Sequence, residues 1–253
     1  MWRFGSMNNI NRIVEWMNGY KEKTKCKGVV LGISGGKDST VVAMLSKIVF
    51  GDNVFGVIMP NGEQKDIDDA LTVCQTLNIN YRIVNINDAY KGLLDAIAYC
   101  PGMEDATISD KAKTNIPPRL RMTTLYAIAQ TLGYRVIGTG NFSERYIGWF
   151  TKFGDGGCDL NPIAHLTCFE VIELGKELCK EFKLPESLIV KTPADGLTGK
   201  SDEDNFGFTY QQLENYIKLV DGSGDADVDK RIEQMNKMSE HKLRTPYTIE
   251  DKF

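Results

Sequence analysis

The chain has 253 residues, 42% hydrophobic and 25% charged, with 34 acidic against 30 basic side chains and a formal net charge of −4. That length and apolar content suffice for a sizeable buried core and fit one large α/β domain better than two small ones. The acidic balance gives no global positive field for a nucleic-acid backbone, so an anionic ligand has to be met by local cations.

Ile10, Ile13, Val14 and Met17 recur at helical spacing and predict an amphipathic first helix. Residues 28–33 are nearly all apolar, the pattern of a strand buried on both faces of a parallel sheet. A helix over 37–49 follows, then a strand over 54–59 that ends in the turn Pro60-Asn61-Gly62. The next helix carries Ile67, Ala70, Leu71 and Cys74 on one face, residues 81–86 alternate as a strand, and 88–99 form another helix. A polar stretch to Asn115 reaches Pro117-Pro118, which predicts a helix start near residue 119, because a first-turn proline loses no hydrogen bond. That helix runs to about residue 132 and into a fourth strand over 134–138. Repeated βα units predict an α/β, Rossmann-like doubly wound parallel sheet flanked by helices, with ligands outside the carboxyl ends of the strands.

The C-terminal part reads as helical with long loops. Thr167-x-x-Glu170 and Thr209-x-x-Gln212 are capping boxes ahead of helices with Val171, Leu174, Leu178 and Phe182, and with Leu213, Tyr216 and Ile217, on their apolar faces. Between them, residues 191–207 are poor in apolar side chains and rich in breakers, which predicts a mobile loop. The polar segment 221–225 precedes a last helix over 228–240.

Cys26, Cys74, Cys100, Cys158, Cys168 and Cys179 contain no Cys-x-x-Cys pair and read as reduced thiols of a cytoplasmic protein. Cys158, His165 and Cys168 come nearest to a metal set but lack paired ligand spacing. No apolar run nears the roughly 20 residues of a membrane span, and the N-terminus lacks the apolar core of a signal peptide. Gly5-Ser6 before a second methionine reads as a cloning leader over residues 1–7, leaving residues 8–253 as a single domain.

The chemistry concentrates in two blocks. Gly32-Ile33-Ser34-Gly35-Gly36-Lys37-Asp38-Ser39 stands between a buried strand and a helix, but a Walker A loop needs four residues between its glycines and then Gly-Lys-Ser/Thr. Gly35 and Gly36 let the backbone approach an anion, Ser34 and Ser39 add hydroxyl donors, and the helix start offers free N–H groups. Asp38 would repel a phosphate unless a divalent cation stood between them, which argues for Mg²⁺ bridging. This string resembles the loop of the ATP pyrophosphatase family, whose members hold the leaving pyrophosphate while ATP adenylates a substrate oxygen.

The second block, Gly138-Thr139-Gly140-Asn141-Phe142-Ser143-Glu144 and then Lys152-Phe153-Gly154-Asp155-Gly156-Gly157-Cys158-Asp159, closely resembles the signature of the NAD synthetase family. The resemblance covers nearly the whole chain from about Asn8. It implies an ammonia-dependent enzyme that adenylates the nicotinate carboxylate of nicotinic acid adenine dinucleotide (deamido-NAD) and amidates it, releasing AMP and pyrophosphate. Larger relatives add a glutaminase domain, for which this length leaves no room.

Carried over residue by residue, the resemblance implies ATP contacts at residues 32–39 and Thr139, with Mg²⁺ held by Asp38 and Glu144. Deamido-NAD contacts fall on Arg119, Lys152, Asp159, Glu203, His241 and Lys242. Tyr126 and Trp149 are candidates to sandwich the nicotinate ring, and Asp155 to orient ammonia or take its proton as the amide forms. The family also implies a homodimer, with His241 and Lys242 reaching the partner's site. Two departures stand out: Cys168 lies where many relatives have an ATP-contacting lysine, so Lys191 or Lys200 is expected to substitute, and Lys37 lies where relatives often have glutamine and is expected to supply part of the charge. The alternatives are another ATP pyrophosphatase, such as a GMP synthetase core or a tRNA-modifying adenylating enzyme, and a nucleotide-sensing module without turnover.

Overall fold

The computed structural model describes residues 6–63, 67–102, 107–191, 201–218, 222–246, 248–249 and 251. Residues 1–5 of the 1–7 stretch expected to be a leader, and Lys200, therefore lie outside the described residues.

Four parallel strands, β1 (Val29–Gly32), β2 (Val54–Ile58), β3 (Asn80–Ile83) and β4 (Arg135–Val136), lie in the order β3-β2-β1-β4. The register pairs Val29 with both Val54 and Arg135, so β1 is central and its backbone is used on both sides. Its apolar run follows from this position. Val29 and Leu31 join the core beneath α1 (Ser6–Thr24), α2 (Lys37–Phe50) and α7 (Cys168–Phe182), while Val30 joins Val57, Ile86, Ala129 and Val136 on the opposite face under α5 (Asp110–Leu132). Leu31, Met44 and Leu174 are almost wholly buried in the first core, where truncation to alanine costs about 2–5 kcal/mol. Because β4 adds on the other side of β1 from β2, the loops leaving β1 and β4 diverge, and a crevice opens at their carboxyl ends.

α3 (Ile67–Thr76) and α4 (Asn87–Ala98) follow β2 and β3. β3 is a shorter strand than the alternation at 81–86 predicts, and it lies at the sheet edge with mostly exposed side chains. β4 is short as well; the sheet is continued there by a parallel bridge between Ile137 and Leu160.

The prolines do not open α5. Ser109 caps it by accepting from Ala112 N at 3.3 Å, and the helix runs through Pro117 and Pro118, which are buried inside it. Interior prolines deprive the carbonyls four residues back, here Lys113 and Thr114, of their helical donors. The local preference for a helix start at the prolines yields to the Ser109 cap and to the packing of this segment.

The remaining helices are α6 (Phe142–Ile147), α8 (Ser187–Val190), α9 (Asp202–Phe206), α10 (Tyr210–Ile217) and α11 (Ala226–Leu243). The capping boxes at Thr167 and Thr209 form as the spacing predicts, and two more appear at Asn141 with Glu144 and at Ser201 with Asp204. The last of these makes residues 202–206 a helix inside the stretch read as a loop, with Phe206 1% exposed and anchoring it to the core. α11 starts earlier than predicted because Asp225 accepts from the N–H groups of Asp227 and Val228.

Candidate active site

The crevice holds a cavity of about 1020 Å³, lined from one side by residues 32–39 and from the other by Thr139, Glu144, Trp149, Asp155 and Lys242. On the first side, Gly35 has φ 82°, a conformation that side chains disfavour, and this turns the chain sharply from β1 into α2. Ser34 Oγ lies 3.0 Å from Ser39 Oγ and accepts from Gly36 N at 3.2 Å. Ser39 and Thr40 donate to Gly36 O at 3.0 and 2.9 Å. The loop is thus braced from within, and glycine at the N-cap leaves the first N–H groups of α2 without a side-chain cap. A helix start of this kind, with its positive dipole end, suits a phosphate.

Asp38 faces Glu144 across the crevice. Asn141 holds both: Nδ2 donates to Asp38 Oδ1 at 3.2 Å, and the backbone N–H donates to Glu144 Oε2 at 3.1 Å. Burial, and then the charge of Asp38, push the Glu144 carboxyl up to about 8, against the opposing pull of Lys37 and the Asn141 N–H. Two carboxylates that strain against each other form a hard oxygen donor set, and that fits a divalent cation. Among the described residues no third protein ligand joins them. Mg²⁺ keeps several waters and takes phosphate oxygens, so a pair of carboxylates is enough protein for it.

The far wall is aromatic and acidic. Asp202, 4% exposed, accepts from Trp149 Nε1 at 3.1 Å and from Tyr210 Oη at 2.9 Å, while Phe206 sits edge-on to both rings. Asp155, also on the cavity wall, accepts from Thr151 N at 3.0 Å. Burial raises its pKa, partly offset by that N–H, its own backbone N–H and Lys242. Lys242 donates from Nζ to Gly148 O at 2.7 Å and Phe150 O at 2.8 Å.

A family profile described as NAD synthase matches residues 9–246. The chain belongs to the NAD synthase family. It is 40% identical over 237 residues to an NH(3)-dependent NAD(+) synthetase of Carboxydothermus hydrogenoformans, covering 93% of this chain and 94% of that one. Among solved structures it resembles an NMN synthetase from Francisella tularensis, at 34% identity and a TM-score of 0.86, over 98% of this chain and 100% of that one. An NH3-dependent NAD synthetase from Campylobacter jejuni follows at 25% identity and a TM-score of 0.78, over 98% and 100%. The parallel sheet and its flanking helices are thus the Rossmann-like fold of this family.

The other residues singled out by the family resemblance fall into two groups. Arg119 Nε donates to Lys152 O at 3.4 Å, and Lys152 Nζ donates to His241 O, so Arg119 and Lys152, themselves outside the cavity lining, connect to the His241-Lys242 pair that lines its rim. Tyr126 and Asp159 lie elsewhere: Asp159 accepts from Val136 N at 2.8 Å and from Tyr126 Oη at 3.4 Å, bracing β4 outside the cavity lining. Tyr126 packs with the Val30 and Val57 core and Trp149 with the Phe206 cluster, so within this chain the two rings do not face each other as a sandwich would require. Glu203 accepts from Tyr210 N at 2.7 Å and so holds the start of α10.

Lys191 forms an ion pair with Asp69 on α3 at the cavity edge.

Sequence reasoning missed Arg121 and Tyr210 and assigned no role to Asn141 or Asp202. Arg121 lines the cavity with Nε donating to Met59 O at 3.0 Å; burial lowers its pKa, and Asp155 opposes that. It stands two residues after Arg119, about 200° around a helix, so only one of the two can face the crevice. Asn141 stood inside the Gly138–Glu144 block that carries the family resemblance, and Asp202 beside the Glu203 expected to contact deamido-NAD.

Proposed function

We propose that the chain is an ammonia-dependent NAD synthetase, an ATP-dependent ligase that forms an amide on deamido-NAD. The observation that carries this reading is one cavity that joins the Ser34–Ser39 loop, the Asp38–Glu144 pair and Asp155. A carboxylate is a poor acyl donor to ammonia because its leaving group would be an oxide, so the nicotinate carboxylate first attacks the α-phosphorus of ATP. The loop amides and hydroxyls hold the departing pyrophosphate. Mg²⁺, held by Asp38 and Glu144, supplies charge neutralisation to the phosphates. Asp155 faces the acyl adenylate, recruits ammonium and takes a proton as the amide forms; its burial-raised pKa makes it a better base than an ordinary carboxylate. AMP leaves with the second step.

The protein acts as a homodimer in the cytoplasm and draws on free ammonia, with residues 8–253 forming one catalytic domain. In support of the dimer, α4 has an amphipathic sequence yet buries no residue, and Ile83, Leu93 and Tyr99 nearby are 49%, 40% and 86% exposed. An amphipathic helix that leaves its apolar side chains unburied is the kind of surface a protein contact covers. Among the described residues no helix is long and apolar enough to cross a membrane.

An end-point assay with ATP, Mg²⁺, ammonium and deamido-NAD should yield NAD and AMP in equal amounts. ADP as the stoichiometric product would overturn the reading. A second reading, amidation of the mononucleotide, is favoured by the likeness to the Francisella NMN synthetase. Competition between nicotinic acid mononucleotide and deamido-NAD in the same vessel separates the two.

A further inference from the structure

Lys37 follows the glycine pair of the loop, where a lysine is expected to aim its ammonium at a bound anion. Instead the residue is 6% exposed. Its Nζ donates to Asp38 Oδ2 at 2.6 Å and lies 5.8 Å from the centre of the Tyr210 ring. Glu144 is near enough for its charge to act on the ammonium, and Cys168, the first residue of α7, closes the same space with a buried thiol.

A lysine buried in this way needs partners, because desolvation alone would drive it neutral or outward. Its direct partner is Asp38, one of the two carboxylates that suit a divalent cation, and the charge of Glu144 acts on it from beyond ion-pair distance. Oδ2 of Asp38 is engaged by Lys37 and Oδ1 by Asn141, so a cation approaching Asp38 competes with the ammonium for the same carboxylate charge.

We propose that Lys37 is a positioning residue whose ammonium serves as the resident counter-ion of Asp38 and Glu144, competing with the divalent cation until nucleotide is bound. The triphosphate brings negative charge to the start of α2 and offers the ammonium other acceptors, which frees Asp38 Oδ2 for the metal. By linkage, the metal then favours nucleotide as much as nucleotide favours the metal. The proposal rests on the reading of this cavity as an ATP site, and it gives the cation a reason to arrive with ATP rather than before it.

The test reads metal binding without turnover. Mn²⁺ is titrated into the nucleotide-free protein and the free ion is followed by electron paramagnetic resonance, for the native chain, Lys37→Gln, Lys37→Arg and the double variant Lys37→Gln/Glu144→Gln. Lys37→Gln is expected to bind Mn²⁺ at least tenfold more tightly than the native chain, Lys37→Arg to stay near native, and the double variant to lose the gain. With α,β-methylene-ATP present, the difference between native and Lys37→Gln is expected to shrink. Circular dichroism confirms that each variant is folded. A folded Lys37→Gln protein that binds Mn²⁺ no more tightly than the native chain overturns the proposal, even if it makes NAD. Tighter Mn²⁺ binding by Lys37→Gln, together with a native chain that makes no NAD, would instead remove the synthetase reading and leave the charge placement standing.

Discussion

The side-chain amide of Asn141 donates to Asp38 across 103 residues of chain, at 3.2 Å. The same residue caps α6 through Oδ1, which accepts from Glu144 N at 3.0 Å. One asparagine therefore ties the loop after β4 to the loop after β1 and sets the spacing of the carboxylate pair. Asn141→Asp keeps the capping oxygen and loses the amide donor, so it should retain most stability while turnover falls at least tenfold. Asn141→Ala loses the cap as well, at about 1–2 kcal/mol. Urea unfolding and steady-state rates on the two variants separate the contributions; equal activity in native and Asn141→Asp protein would show that the tie to Asp38 has no catalytic consequence.

Asp38→Asn and Glu144→Gln are each expected to abolish Mg²⁺-dependent turnover, since each removes an anionic ligand from a hard cation. The metal-free protein offers an independent check on Glu144. Its pKa is raised from 4.5 to about 8 by burial and then by Asp38, so the folded state binds the proton more tightly than the unfolded chain. The stability this confers is complete below about pH 4.5 and is lost as the pH rises through about 8. Melting temperatures of the metal-free protein between pH 5 and pH 9, on the order of the window this linkage defines, should fall less steeply in Glu144→Gln than in the native chain. Parallel slopes would exclude Glu144 as the titrating group.

The βα order, the buried central strand and both threonine capping boxes could be read in the sequence because each is a local pattern. Val29–Gly32 is apolar throughout because both faces are covered, and Thr167 and Thr209 cap because the third residue on reaches back. The loop at 32–39 was legible for the same reason. What escaped reading depends on direction and distance. The side on which Arg121 rather than Arg119 faces is set by how α5 docks on the sheet, and the burial of Lys37 beside Asp38 by the closeness of α7 and Tyr210. α5 itself begins at Asp110 because a serine cap and packing prevail over two prolines.

Gly148 ends α6 with φ 68°, and a Cβ there would stand 2.0 Å from Ser239 Cβ on α11. The close approach brings α11 near enough for Lys242 to reach Gly148 O and Phe150 O. Gly148→Ala is therefore expected to push α11 outward, costing about 1–3 kcal/mol for overpacking together with left-handed strain. It should raise the KM for the dinucleotide more than that for ATP, because His241 and Lys242 move and the 32–39 loop does not. Adding Ser239→Gly should recover part of both losses. A Gly148→Ala protein with native stability and KM would show that this contact does not set the position of α11.

Arg121 is the cation whose placement argues most directly for substrate holding. Its Nε is spent on Met59 O, which fixes the stem and leaves the planar fork beside Asp155 in the cavity. A guanidinium fixed in this way suits a carboxylate or phosphate, and a lysine in its place would give up both the anchor and the bidentate geometry. Arg121→Lys should therefore lower kcat/KM on the order of a hundredfold, about 2.7 kcal/mol, even though the charge is kept. Arg119→Lys, at the rim with its Nε on Lys152 O, should cost less, since a charge at an accessible rim is worth little beyond its Coulomb attraction. Steady-state kinetics on both variants with ATP and dinucleotide varied in turn gives the comparison. A larger loss at Arg119 than at Arg121 would reverse the assignment and place the principal anion contact at the rim.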